Sequence, residues 1–317
     1  MQNMGELPQT CHIYVASDKS GDYCTIMDAI DAVPVHNSTT TIIHVKPGIY
    51  NERVEISGDK RYIVLKGEGK EPAETKITFD NYGGKIMEDG DIMGTFRSAS
   101  MFVYANYFKA ENLTVENSYD GSKGGGRQAV ALYASAEHIE FCNCRFIGRQ
   151  DTLYAKDGTQ YYKDCYIEGD VDYIFGGARA VFEGCELYSF NIDESDEGRR
   201  AYITAPSTPA TQKYGFLFLE CRTTGNFGEQ SVFLGRPWHP GSDPMSNGSC
   251  VFKNCELSDQ IRTEGWKEQM GGFLSKNARL FEYGCTGNGA AEHERRRNLT
   301  DKEAEEYTKE KVLGWDF

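Results

Sequence analysis

The sequence lacks a long apolar run and has fewer basic than acidic residues, and both deficits restrict its function. No segment approaches the roughly 18 consecutive apolar residues that a membrane-spanning helix needs. The chain carries 34 basic and 48 acidic residues, a formal net charge of −14. Because such a surface repels polyanions at long range, we expect no nucleic-acid partner and no membrane partner.

The first ten residues are polar and lack the basic-then-apolar pattern of a secretory signal. We therefore expect a cytoplasmic protein, or an extracellular or periplasmic one if a signal segment has been removed. A linker rich in proline, serine or glycine is also missing. The prediction is a single domain over residues 1–317, and a monomer.

The ten cysteines lack the spacing of a zinc site, because no CxxC pair is followed by a second pair or by paired histidines. The six histidines also show no ligand spacing, so we predict no metal and no other cofactor. Disulfides would need an oxidising compartment. Most of the cysteines are therefore interpreted as small buried apolar residues.

What the sequence does contain is a repeat: an aromatic residue, two further residues, cysteine, one residue, and usually an apolar residue. The copies are centred on Cys144, Cys165, Cys185, Cys221 and Cys255. A version with Leu113 in place of cysteine precedes them. Such units with short strands indicate a parallel β-helix, in which equivalent residues of successive coils stack. A Greek-key sandwich is the alternative, but it does not explain the repeat.

Helical patterns occur only near the two ends of the chain. Thr25–Val33 has apolar residues at i, i+3, i+4 and i+7, which predicts a short helix that closes the solenoid. Thr300 and Glu303 have capping-box spacing ahead of residues 304–312, which predicts another helix there. The predicted class is all-β, a parallel β-helix (solenoid) with short terminal helices.

The repeat also predicts where two carboxylates lie. Asp151 is seven residues after Cys144, and Asp172 is seven residues after Cys165. Coils in register would place the two aspartates at equivalent positions, about 5 Å apart. Two carboxylates that close cannot easily ionise together, so one becomes an acid and the other an anion at the same pH.

The sequences around these aspartates are GRQDTLY at 148–154 and DVDYIFG at 170–176, followed by LGRPW at 234–238. In this order they form a specific signature, and the chain resembles the pectin methylesterase family over residues 13–315. The resemblance implies a right-handed parallel β-helix. It also implies a carbohydrate esterase that hydrolyses C6 methyl esters of galacturonan or oligogalacturonides.

The resemblance further implies a role for each matching residue. Asp172 would be the nucleophile that forms an acyl-enzyme, and Asp151 the general acid and base. Gln128 and Gln150 would donate hydrogen bonds to the oxyanion. Arg236 would pair with Asp172 and keep it charged.

Five further residues match positions that contact the substrate in the family. Trp238 matches a sugar platform, and Tyr154 and Phe175 match other residues of the cleft. Thr95 and Val171 match positions near the substrate subsites. For each aromatic residue, ordinary core packing is the alternative interpretation.

Asp170 departs from the family pattern, in which an uncharged residue is usual. One hypothesis is that this third acid raises the pKa of the catalytic acid or disfavours charged, de-esterified neighbours. The simpler expectation is a solvated aspartate.

Three alternative functions stay open at this point. A glycoside hydrolase would also use paired carboxylates about 5 Å apart. A calcium-dependent lyase needs a cluster of acids, and none surrounds Arg236 in the sequence. A related β-helix esterase or thioesterase with a different ester, or a relative that only binds, is the third.

Overall fold

Short strands that pair in parallel make up most of the protein. The computed structural model describes residues 10–121, 124, 126–193, 198 and 200–317. Within them the strands are β1 (Cys11–Val15), β2 (Thr41–Val45), β3 (Gly48–Asn51), β4 (Val54–Ile56), β5 (Ile63–Gly67), β6 (Thr75–Phe79), β7 (Met101–Val103), β8 (Lys109–Glu111), β9 (Thr114–Asn117), β10 (Leu132–Cys142), β11 (Arg145–Ile147), β12 (Leu153–Lys163), β13 (Tyr166–Gly169), β14 (Val171–Gly176), β15 (Arg179–Glu183), β16 (Glu186–Ser189), β17 (Ala201–Pro206), β18 (Phe216–Leu219), β19 (Arg222–Gly225), β20 (Val232–Gly235), β21 (Ser249–Lys253), β22 (Gln269–Met270), β23 (Phe273–Leu274) and β24 (Arg279–Tyr283).

Each coil of the chain contributes one strand to each of three parallel faces. In one coil, β13 pairs with β11 and β16, β14 with β12 and β17, and β15 with β12 and β18. Each of these three strands therefore lies between strands of the preceding and following coils. This arrangement confirms the predicted parallel β-helix and excludes the sandwich.

The repeat cysteines form one buried column along the inside of the solenoid. Each sulfur lies 3.3–3.6 Å from a backbone carbonyl of the preceding coil. Leu113 is buried at the same position one coil earlier, as predicted. Cys285 extends the column by one coil and was missed, because Glu282 stands where the motif has an aromatic residue. All ten cysteines are free thiols.

A column of aromatic rings runs beside the cysteines. Ring centroids of consecutive members are 5.2, 4.6, 4.6 and 4.4 Å apart, and each pair is tilted by only 10°. The members are Phe141, Tyr162, Phe182, Phe218 and Phe252. Because all of them are fully buried, this stack and the cysteine column together fill the core of the central coils.

A tight turn precedes each position of the cysteine column. The turn residue has a left-handed conformation, with φ between 48° and 64°. Asparagine, aspartate and glycine, which tolerate this region best, occupy six of the seven turns, and Glu220 is the exception. The turn residues are Asn112, Asn143, Asp164, Gly184, Glu220, Asn254 and Gly284.

The helices lie near the chain ends, as predicted, but the C-terminal one is divided. The helices are α1 (Ile26–Ala32), α2 (Asp301–Ala304) and α3 (Lys309–Leu313). The capping box of Thr300 and Glu303 is formed. The expected continuous helix over 304–312 is wrong, because Lys253 binds the carbonyls of Ala304 and Tyr307 and a new cap then starts α3.

The structure bears on the expected lack of a membrane-spanning helix, but not on the expected lack of a secretory signal. In the described ranges, no helix is long and apolar enough to cross a membrane. The polar N-terminal segment lies mostly outside the described residues, since the structure describes the chain from residue 10 onward. The single-domain assignment over 1–317 stays a prediction.

Removing one ring from the aromatic column should destabilise the protein strongly. Phe182 is fully buried and stacks on a ring at 4.6 Å on each side. We expect Phe182→Ala to lower the free energy of unfolding by about 3–5 kcal/mol, measured by chemical denaturation. The same change at Phe317, which is 58% exposed, should cost only about 0.5 kcal/mol. Equal losses in the two variants would contradict a structural role for the column.

Candidate active site

The two predicted aspartates occupy equivalent positions on neighbouring coils. Strands β12 and β14 pair with Leu153 opposite Ile174, a shift of 21 residues that also relates Asp151 to Asp172. The Asp151 N–H donates to the carbonyl of Val171 at 3.0 Å. This register confirms the geometric prediction that was made from the cysteine repeat.

Both aspartates have a left-handed backbone, with φ of 67° at Asp151 and 50° at Asp172. Asp172 lies in an irregularity of β14, where the register with β17 shifts between Val171 and Ile174. Such bulges redirect side chains and are common beside active sites. Residues held in this conformation also store strain, which proteins concentrate at functional sites.

A cleft of about 370 Å³ opens above these two carboxylates. Its walls consist of Thr95, Phe96, Gln128, Gln150, Asp151, Asp172, Phe175, Ala205, Arg236, Trp238 and Met270. Eight of the ten predicted site residues are among them. The other two are not among them: Tyr154 packs against the wall residues Phe96 and Phe175, and Val171, which is partly exposed, directly precedes Asp172.

Arg236 clamps Asp172 with a bidentate ion pair. Its Nε donates to Oδ1 at 2.7 Å, and its Nη2 donates to Oδ2 at 2.5 Å. Arg236 follows β20 directly, and its N–H donates to the carbonyl of Thr204 at 3.0 Å. The fork of the guanidinium matches both carboxylate oxygens, so it orients Asp172 as well as attracting it.

Burial and charge separate the acidities of the two aspartates. Burial, then the charge of Asp172, raises the pKa of Asp151 well above its ordinary value. Burial also raises the pKa of Asp172, but the hydrogen bonds and charge of Arg236 oppose this rise. Asp172 therefore ionises at lower pH than Asp151, which leaves an anion beside a protonated acid.

The two glutamines lie side by side at the cleft. Gln128 and Gln150 form a parallel β-bridge between consecutive coils. A loop reaches the same point, because the Gly83 N–H donates to the carbonyl of Gln128 at 2.7 Å and the Gly94 N–H to that of Gly83 at 2.8 Å. These contacts place Thr95, the residue after Gly94, in the cleft wall.

Aromatic side chains form the other wall. Tyr154 stacks on Phe175 with centroids 4.3 Å apart and an angle of 5°. Trp238 meets Phe175 edge-on at 5.6 Å, and Phe96 stacks on Tyr154 at 5.1 Å. Tyr154 does not line the cleft, and it supports Phe175 and Phe96, which do.

Three residues of the cleft wall were missed in the sequence. Phe96 follows Thr95, and Ala205 lies opposite Phe175 in the strand pairing. Met270 sits in the antiparallel hairpin of β22 and β23, where Gly271 and Gly272 have φ of 57° and 87°. Two glycines between short apolar segments are a hairpin signal, so this hairpin could have been predicted from the sequence.

Asp170 corrects one expectation. It was expected to be solvated, but it is only 2% exposed. Its position directly before β14 brings its charge close enough to raise the pKa of both Asp151 and Asp172. The hypothesis that this acid tunes the pair is therefore compatible with the electrostatics of the site.

The buried state of Asp151 predicts how stability depends on pH. A carboxyl whose pKa is raised in the folded state holds its proton there to higher pH than in the unfolded chain. Stability is therefore lost as pH rises from the ordinary value near 3.9 through the raised one. We expect Asp151→Asn to flatten this loss and to unfold at a higher temperature than the wild type at pH 8.

Thermal unfolding between pH 4 and pH 8 measures the effect. Asp259→Asn is a matched control, since Asp259 is exposed and lines no part of the cleft. Its curve should follow the wild type. If Asp151→Asn is the less stable protein at pH 8, the raised pKa is wrong.

The comparisons with known proteins point to one family. A family model described as Pectinesterase matches residues 12–316. Pectinesterase 31 of Arabidopsis thaliana is 38% identical over 300 residues, covering 92% of this chain and 89% of the relative. Pectinesterase A of Dickeya chrysanthemi is 36% identical over 341 residues, covering 96% of this chain and 91% of the relative.

Solved structures show the same architecture. A pectin methylesterase in complex with hexasaccharide superposes with a TM-score of 0.89 and 34% identity, and the match covers 97% of this chain and 98% of that one. The carrot pectin methylesterase matches with a TM-score of 0.82 and 28% identity, over 99% and 95% of the two chains. This chain belongs to the pectinesterase family, and it is a carboxylic ester hydrolase.

Proposed function

We propose that this protein hydrolyses C6 methyl esters of galacturonan or oligogalacturonides to free carboxylate and methanol through an aspartyl acyl-enzyme. One observation carries the proposal. A buried carboxylate, Asp172, is held ionised by Arg236 and lies one coil from Asp151, whose pKa is well above its ordinary value. This pairing provides a nucleophile and an acid at one pH.

In the first step, an Asp172 oxygen attacks the ester carbonyl carbon and forms a tetrahedral oxyanion. The fixed orientation of the carboxylate on Arg236 aims one oxygen at the substrate. Collapse of this species breaks the bond to the methoxy oxygen, which takes the proton of Asp151 and leaves as methanol. The products of this step are an anhydride on Asp172 and an ionised Asp151.

In the second step, Asp151 accepts a proton from water as the water oxygen attacks the acyl carbon. The bond to Asp172 then breaks, which releases the galacturonic acid and restores both side chains, and the released acid loses its proton to the solvent. Losing the charge of Asp172 in the anhydride lowers the pKa of Asp151, because that charge is one cause of its raised value. The same residue can therefore act first as an acid and then as a base.

Gln128 and Gln150 are proposed to stabilise the oxyanion. Their bridge brings the two side chains to one side of the cleft, and amides donate hydrogen bonds without adding charge. A cation in this place would lower the pKa of Asp151 and weaken the acid. The neutral pair is therefore suited to a site that needs a protonated carboxyl.

The aromatic wall is proposed to bind the sugar chain. Trp238 and Phe175 meet at the cleft surface, and such faces pack well against sugar rings. Thr95 and Val171 stay predictions as substrate contacts: Thr95 lines the cleft, and Val171 does not. The monomeric state and the cytoplasmic location also stay predictions. A cytoplasmic enzyme would require short imported substrates.

The proposed chemistry is tested by methanol release from methylated pectin and from short methylated oligogalacturonides. Asp172→Asn should lower kcat at least about 10³-fold, since an amide cannot act as the nucleophile. Gln150→Leu should lower kcat by about 10²–10³. Asp259→Asn, at an exposed position, is the control and should keep full activity.

The products distinguish the remaining functions. New reducing ends without methanol would support a glycoside hydrolase, and full activity of Asp172→Asn would overturn the assignment of the nucleophile. A substrate preference for oligogalacturonides over polymer would support the short natural substrate.

Asp170 provides a second test of the electrostatics. Asp170→Thr removes a buried negative charge that raises the pKa of both catalytic aspartates. The acidic limb of the pH–rate profile should therefore move to lower pH, because Asp172 ionises more easily. The measurement is kcat/KM against pH for the wild type and for Asp170→Thr, with the same substrate. An unchanged limb would show that Asp170 has no tuning role.

A further inference from the structure

The guanidinium of Arg236 lies over the first ring of a column of stacked groups that the chemistry above does not use. The Arg236 Cζ is 4.2 Å from the centre of the Tyr202 ring. Tyr202 stacks on Phe233 with centroids 5.3 Å apart and an angle of 4°. The Arg262 Cζ is 5.1 Å from the centre of the Phe233 ring. We call these four residues the Arg236 column.

The register of the β-helix builds this column. Tyr202 on β17 pairs with Val171 on β14, directly beside Asp172, and with Phe233 on β20. The two rings therefore stack at the spacing of the coils. The Tyr202 N–H also donates to the carbonyl of Asp170 at 3.0 Å, which ties the ring to the segment that carries the nucleophile.

At the other end of the column, Arg262 is also held by an ion pair. Arg262 donates to both oxygens of Glu264, at 3.1 and 3.0 Å, and to the carbonyl of Gln230 at 2.8 Å. Phe233 is 6% exposed, so its ring cannot move freely. The Tyr202 ring is consequently fixed from below by a buried ring and an ion pair.

Arg236 depends on this support for its orientation. In the described part of the chain, both hydrogen bonds of the Arg236 side chain go to Asp172. These two bonds align the guanidinium with the carboxylate, but they do not prevent the pair from tilting together. A ring face under the guanidinium opposes that tilt, because the cation is attracted to the ring quadrupole.

We propose that Tyr202 is a positioning residue for the esterase reaction: its ring holds Arg236, and through Arg236 the attacking oxygen of Asp172, in the productive orientation. The inference depends on the proposed roles of Asp172 and Arg236. It assigns the function to the ring face and not to the hydroxyl. Tyr202 itself contacts no reacting atom.

The test compares Tyr202→Leu with Tyr202→Phe, using methanol release from methylated pectin. Tyr202→Leu should lower kcat about tenfold, or about 1.4 kcal/mol, with KM within about twofold of the wild type. The acidic limb of its pH profile should move up by about half a unit to one unit, because a poorly aligned Arg236 opposes the raised pKa of Asp172 less. Tyr202→Phe keeps the ring face and should match the wild type in both measurements.

A matched control separates this effect from general destabilisation. Tyr107 also stacks between two rings, Tyr62 and His138, at 5.0 and 4.7 Å, but it lines no part of the cleft. Tyr107→Leu, which also removes a stacked ring, should keep kcat and the pH limb of the wild type. Thermal unfolding confirms that each variant is folded. Tyr202→Ile, which suits a strand, replaces the leucine variant if that one does not fold.

Two results would overturn the inference. One is a folded Tyr202→Leu or Tyr202→Ile with the kcat and pH limb of the wild type. The other is a Tyr202→Phe variant that is impaired as much as Tyr202→Leu, which would assign the effect to the hydroxyl. Neither result would mean that the proposed function is wrong. Full activity of Asp172→Asn would be the sign of that failure.

Discussion

The register between parallel coils is the constraint on which the rest of this structure depends. Each backbone segment hydrogen-bonds to the equivalent segment one coil away, so identical positions stack at the spacing of strands. The cysteine column, the aromatic column and the pairing of the two aspartates all follow from this register, although the shift between neighbouring coils varies from 20 to 36 residues along the columns. A slip of one residue would turn the buried side chains outward and separate the catalytic pair.

The rigid coils hold the charged groups of Asp172 and Arg236 in contact within a buried site. Asp172 is buried, and a buried charge is tolerated only when it is paired with good geometry. Arg236 supplies that geometry, and removing either partner would leave an uncompensated charge. Asp151 avoids the same cost by keeping its proton, which is the state that its proposed role as general acid requires. The burial that makes a second charge costly therefore also keeps Asp151 protonated for its proposed role.

Local patterns predicted much of the fold and the site. The cysteine repeat indicated the β-helix, and its offset to Asp151 and Asp172 predicted their pairing without any family knowledge. Prediction was weaker where tertiary contacts override local signals. Lys253 divides the C-terminal helix, and no pattern near residue 305 shows this contact. Asp170 was expected in solvent, because an acidic residue gives no local sign of burial.

By itself, the sequence determined the architecture, the register and the identity of the reactive groups, because a repeat specifies equivalent positions wherever the coils stack. Only the tertiary structure decided how those groups are oriented and what their environment does to them. The bidentate contact of Arg236 with Asp172 joins residues 64 positions apart, and the wall formed by Met270 comes from a hairpin three coils further on. Orientation and pKa depend on neighbours distant in the chain, and a pattern of adjacent residues carries no information about their distance in space.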